Sequence, residues 1–218
     1  MKKFQNKDLK KADFQNQSLA GANFRGADLQ EAKLSGGNFE GANFAEGNFV
    51  EADFICAKLQ NANFSNADAR FADFSGANLV GACLQNADLR DSDLSNANFI
   101  DAKLIDARLI NADLSNACFR RANLTGANFS GANLTGANFS GANLNEVEGL
   151  NFAACTFAGH GQNNRQLLGV EIDSEIMYFC GCFRGNEDKL LGYIERGKDG
   201  FKESRLFALE FVKSAINF

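Results

Sequence analysis

A bulky residue returns at every fifth position from Phe4 to Leu144, without a change of phase, through 29 units. "LTGANFSGANLTGANFSGANL", from Leu124 to Leu144, shows the pattern at its most regular. The period is neither the roughly 3.6 residues of a helix nor the 2 or so of a strand. Each central residue is Leu or Phe, except Ala69. A small residue, usually Ala, stands two positions earlier, with Asn or Asp between the two in most units. In extended backbone, residues two apart face the same way. The small residue and the centre therefore point inward, and the Asn or Asp points out. The pattern then restarts after three residues, so the chain must bend in the last two positions of each unit. Gly, Asn, Asp and Ser suit such bends. A three-residue strand and a turn, repeated, stack into a β-solenoid whose Leu and Phe side chains form one continuous core.

Composition agrees. The 218 residues include no Pro and no Trp but 22 Phe and 21 Gly, a bias typical of repeat architectures. A net charge of −5 argues against direct nucleic-acid binding through a broad basic surface. No segment of the sequence is apolar enough over a sufficient length to span a membrane. The N-terminal "MKKFQNKDLKK" lacks the apolar stretch of a signal peptide, and a cytoplasmic location is expected. Cys56, Cys83, Cys118, Cys155, Cys180 and Cys182 show no CxxC pair and read as scattered reduced thiols.

"GANLTGANFSGANL" and "NADLRDSDLSNANF" resemble the pentapeptide repeat family, whose unit is written A-(D/N)-L-x-x. The resemblance covers roughly residues 2–146. It implies a right-handed quadrilateral β-helix with four units to a coil. The expected fold is therefore mainly β, with about seven coils stacked into a rod roughly 34 Å long at about 4.8 Å per coil. Four faces can be tested on the sequence. Sorted by position in a twenty-residue coil, the outward aspartates fall on two adjacent faces only: Asp8, Asp28, Asp68 and Asp88 on one, Asp13, Asp53, Asp73, Asp93 and Asp113 on the next. The other two faces carry mostly Asn or Ser, with Lys3, Lys58, Lys103, Cys83 and Cys118.

The expected domains are the β-helix over 1–158 and a C-terminal capping region over 159–218. At the N-terminal end, Lys2, Lys7 and Gln17 replace Ala at the inward small position. They read as a charged edge that blocks end-to-end stacking. After Leu144 the phase breaks, and Phe152 and Phe157 suggest one or two further units beyond an insertion. "GHGQNN" reads as a linker, and "LLGVEIDSEIMYFCGCF" as a strand pair around Asp173-Ser174. A helix is expected near 187–196, capped by Asn186, and an amphipathic one over 202–216. The cap would cover the last coil, and any exposed remainder would offer a homodimer interface.

Candidate chemistry is sparse. His160 stands alone in the linker, and Cys180-Gly-Cys182 is a weak metal signal that fits burial equally well. No catalytic constellation, cofactor motif or metal set emerges, and a non-catalytic protein is expected. The acidic faces are the informative feature: Asp28, Asp53, Asp68, Asp73, Asp88, Asp93 and Asp113 are the candidate partner-binding residues. Asp53, Asp73, Asp93 and Asp113 form one column. Ala69 leaves a dent, and Phe71, at an outward corner, either contacts a partner or folds over to fill it; filling is the preferred of the two. The preferred function is a binding scaffold presenting acidic faces to a protein partner. The alternative comes from the family resembled: its quinolone-resistance group binds DNA gyrase through a rod like duplex DNA, which implies a DNA mimic acting on gyrase or another DNA-binding enzyme. This chain departs from that group in having no loop projecting from the solenoid before residue 145 and only moderate negative charge.

Overall fold

Every backbone bridge in the repeat joins a residue to the one twenty positions on, in parallel. Four ladders result, beginning at Lys3, Asp8, Asp13 and Ser18. The coil is thus four-sided, as the family resemblance implies and the aspartate sorting supports. The computed structural model describes residues 2–149 and the backbone of two strands further on. The chain divides into two units, Met1–Asn164 and Arg165–Phe218.

The pairing is narrower than the sequence suggests. Three-residue strands are expected, yet each face contributes a single bridging residue between turns. A bend every five residues leaves no room for more. The backbone is nonetheless almost fully satisfied. In the unit around Asn23, the Asn23 N–H donates to the Lys2 carbonyl and the Phe24 N–H to the Asn43 carbonyl, at 3.0 and 2.7 Å. The Gly26 N–H donates to Ala45 in the next coil at 2.9 Å, and the Ala27 N–H closes the turn onto the Phe24 carbonyl at 2.9 Å. One donor remains, the N–H of Arg25, and the Asn23 side-chain oxygen accepts it at 3.1 Å. The same bond recurs from Lys10 to Asp8 and from Asn145 to Asn143. This explains the Asn or Asp of each unit: either side chain supplies the acceptor that completes the turn.

The second corner position has positive φ in all 29 units, Gly in ten and a non-glycine in nineteen. With the closing N–H of the next unit donating to the centre's carbonyl, this is the signature of a type II turn.

The inward positions build the core. Phe4, Phe24, Phe44 and Phe64 stack at ring separations of 4.5, 5.0 and 4.7 Å, close to the spacing of the coils themselves. Phe99, Phe119 and Phe139 stack likewise on another face. Edge-to-face contacts tie one face to the next, as between Phe44 and Phe54. The small inward residue makes room for these rings. At Gly47 even a methyl group is excess, because a Cβ there would lie 2.6 Å from the Phe49 ring. Gly47→Ala is expected to destabilise the rod by about 1–3 kcal/mol, as overpacking does; denaturant unfolding of the variant checks this.

The N-terminal coil bears the expected edge. Lys2, Lys7 and Gln17 are exposed, and the Gln17 amide donates to the Asp13 carbonyl at 3.2 Å. At the other end the repeat runs one unit further than expected. The break placed after Leu144 falls later: Val147 is buried in the small position and Asn128 bridges to Glu148. The bulky and small roles are exchanged there, with Gly149 in the centre, which hides the unit from a search for Leu or Phe.

In the second unit, β1 (Leu167–Ile172) and β2 (Glu175–Cys180) pair antiparallel, with Leu167 opposite Cys180 and Ile172 opposite Glu175. This is the expected strand pair. The further repeats at Phe152 and Phe157, the linker with His160, both expected helices and Cys182 lie outside the described residues.

Candidate functional site

The outward position of each unit is a ladder residue, so the ladders decide which side chains stack. Asp53, Asp73, Asp93 and Asp113 bridge in succession and form the continuous column expected of them. Lys33 precedes the column and Asn133 follows it. Each carboxylate accepts the backbone N–H two residues on: from Ile55 at 2.9 Å, Ser75 at 2.8 Å, Ser95 at 2.9 Å and Ser115 at 2.9 Å. Asp113 also accepts from the Asn133 amide at 3.0 Å. None of the four forms an ion pair among the described residues. All four are half-buried, with part of each carboxylate turned inward to the corner and part left to solvent.

The other candidate face differs. Asp28 pairs with Lys10 at 3.2 Å. Arg70 reaches back to Asp68 through two nitrogens, each at 2.8 Å. Arg90 does the same to Asp88, with Arg108 adding a contact at 3.3 Å from the next coil. Asp28, Asp68 and Asp88 are therefore paired with cations where they stand, whereas the Asp53–Asp113 column has no ion pair among the described residues. The signal was present in the sequence as Asp-x-Arg at 68–70 and 88–90. It becomes legible only once the residue two beyond the aspartate is known to sit at the adjoining corner.

Burial pushes the Asp88 carboxyl upward, but the hydrogen bonds and charge of Arg90, with Arg108 behind it, outweigh this and hold it below its ordinary value of 3.8. A lowered folded-state value means stability that is present above the unfolded value and lost as pH falls through the folded one. Asp88→Asn is thus expected to lower stability near neutral pH by about 0.5–1 kcal/mol. The difference from the unmodified chain should vanish in acid, below the lowered Asp88 value. Denaturant midpoints at both pH values check it.

Phe71 does not fill the dent at Ala69. Ala69 is 1% exposed, whereas Phe71 is 54% exposed. Its corner has φ of 60°, which turns the side chain out of the coil. Phe71 shares a corner column with Glu31, Glu51 and Asp91, twenty residues apart, and immediately precedes the Asp73 face. Sequence reasoning missed Ile55, at 38% exposure the other exposed large apolar side chain among the described residues. It follows Asp53 at the opposite edge of the same face.

Among the described residues no group of His, Cys, Asp and Glu is arranged to hold a metal ion, and no helix is long and apolar enough to cross a membrane. Cys56, Cys83 and Cys118 are free thiols.

A rod of four parallel ladders, closed by side-chain-capped turns and carrying its variable residues outward, defines a repeat scaffold. The family model described as "Pentapeptide repeats" matches residues 8–45, 48–86, 82–121 and 117–148, in eight copies and over more than half of the chain. The chain belongs to the pentapeptide repeat family, whose members form right-handed quadrilateral β-helices. Comparison with curated proteins finds no match. Among solved structures, a trypsin-treated form of QnrB1, a plasmid-mediated fluoroquinolone resistance protein, is 24% identical, with 72% of this chain and 77% of that one covered and a TM-score of 0.48. HetL, a pentapeptide repeat protein involved in heterocyst differentiation regulation in the cyanobacterium Nostoc, is 25% identical over 71% of this chain and 90% of its own, with a TM-score of 0.28. A pentapeptide repeat protein from the Arabidopsis thaliana thylakoid lumen is 31% identical over 50% of this chain and 69% of its own, with a TM-score of 0.30.

Proposed function

We propose that this chain is a non-catalytic, cytoplasmic binding scaffold that presents the Asp53, Asp73, Asp93 and Asp113 column to a basic surface of a protein partner. One observation carries the reading: these four carboxylates stack without a cationic neighbour within ion-pair distance among the described residues, while Asp28, Asp68 and Asp88 of the adjoining face are paired. Like charges about 4.8 Å apart repel one another. A cationic partner relieves that repulsion and gains from all four at once. Glu51 and Asp91, at the neighbouring corners, extend the negative strip. The capture test uses cell lysate and compares the unmodified chain with one carrying Asp→Asn at all four positions. Retention by the first and loss by the second supports the reading; equal retention opposes it.

The alternative is a DNA mimic that regulates DNA gyrase or another DNA-binding enzyme. The regular spacing of carboxylates along a rod favours it, but the arginines on Asp68 and Asp88 remove charge that a mimic of duplex phosphates would need. Inhibition of supercoiling at near-stoichiometric protein would favour the mimic, and no effect at large excess would exclude it.

A further inference from the structure

Ile55 and Phe71 border the same ladder on the two coils joined by the Asp53–Asp73 bridge, one at each edge of the face. Half-buried Val50 lies beside Glu51 in the corner column next to Phe71. The Phe71 position is conformationally costly. Left-handed backbone disfavours every side chain with a Cβ, bulky ones most. At the other 28 corners the residue is Gly, Asn, Asp, Glu, Lys, Arg or Cys. Phe71 is 54% exposed and meets no other aromatic ring among the described residues, so much of its ring gains nothing from the rod. An exposed aromatic group held at such a position, with an exposed Ile across the same face, has the character of a contact surface. Its surroundings fix the charge of the occupant: Asp53, Asp73 and Asp93 lie along the face, with Glu51 and Asp91 on either side of Phe71 in its column.

We propose that this surface docks a basic amphipathic α-helix of a partner protein, lying along the rod; the proposal rests on the partner-binding reading above. The spacing selects a helix. At about 1.5 Å of rise per residue, positions i+3, i+7 and i+10 lie about 4.5, 10.5 and 15 Å from position i. Successive coils place Asp73, Asp93 and Asp113 about 4.8, 9.6 and 14.4 Å from Asp53. One stripe of Lys or Arg on a helix therefore keeps step with the whole column. An extended segment advances about 6.8 Å between side chains on one face and is out of step by the second carboxylate. Apolar residues beside the basic stripe then meet Phe71 at one edge and Ile55 at the other.

Fluorescence anisotropy with the full chain and two labelled synthetic peptides of equal length, charge and leucine content tests the proposal. One peptide is an alanine-based helix with Arg at i, i+3, i+7 and i+10 and Leu beside them. The other carries its Arg at alternate positions around a central Pro, which prevents a helix. The helical peptide is expected to bind about tenfold more tightly. Phe71→Asn should weaken the helical peptide by about tenfold while leaving thermal stability equal or higher, since Asn111 already occupies the same corner column. Equal affinity for the two peptides, or an unchanged affinity in Phe71→Asn, overturns the proposal. If the helical preference is missing but capture from lysate still depends on the four aspartates, the acidic surface stands and the helix is wrong. If the aspartate dependence is missing too, both readings fall.

Discussion

Phe64→Ala is expected to destabilise the rod by about 3–5 kcal/mol, the upper range for removal of a buried aromatic side chain. Phe64 stacks on Phe44 at 4.7 Å and meets Phe49, Phe54 and Phe74 edge-on or nearly so, at 5.6 to 5.8 Å. The next centre along the chain is Ala69, already undersized, so little side-chain volume is available to close the void. Backbone ladders above and below hold the coil spacing and oppose collapse. Phe4→Ala makes the control. Phe4 has a similar stacked neighbour in Phe24 but is only half-buried at the open end, and its loss should cost about 1 kcal/mol. Because each coil contacts only its neighbours, the two effects should add. Denaturant unfolding of the single and double variants measures this; a Phe64→Ala effect no larger than that of Phe4→Ala would contradict the packing described.

The second large effect is functional. Changing Asp53, Asp73, Asp93 and Asp113 together to Asn should leave stability within about 0.5 kcal/mol of the unmodified chain, or raise it slightly, while abolishing partner capture. The reason lies in the corner bond. The oxygen that accepts the N–H of Ile55, Ser75, Ser95 or Ser115 is equally present in an amide. Asn fills that role at Asn63 and Asn98. The fold therefore requires the acceptor and not the charge. Asp68→Asn with Asp88→Asn provides the contrast: it breaks the pairs with Arg70 and Arg90 but should leave capture intact. Loss of capture in this second variant alone would move the binding surface to the other face.

Much of this architecture was legible in the sequence because one period governs it. A centre every five residues implies the turns, and the sorting of aspartates by coil position supports the four faces that the family resemblance implies. What the sequence concealed were side-chain directions at the corners. The outward direction of Asn or Asp follows from the period, but the acceptor that each supplies to the turn N–H does not. Nothing in the sequence pattern alone places Arg70 and Arg90 against Asp68 and Asp88; the corner geometry does. The small Ala69 suggests that Phe71 fills the dent, but a left-handed corner points its side chain away from the core. The unit ending at Gly149 was missed because Val147 and Gly149 exchange the usual sizes of the two inward positions.

The most direct test of the account is the affinity of the captured partner for the rod, measured across a range of salt concentrations for the unmodified chain and for the variant with Asn at 53, 73, 93 and 113. The account predicts tight binding that weakens steadily with salt for the unmodified chain, and weak binding nearly independent of salt for the variant. The same affinity and the same salt dependence in both would show that the carboxylate column is only a solvated face.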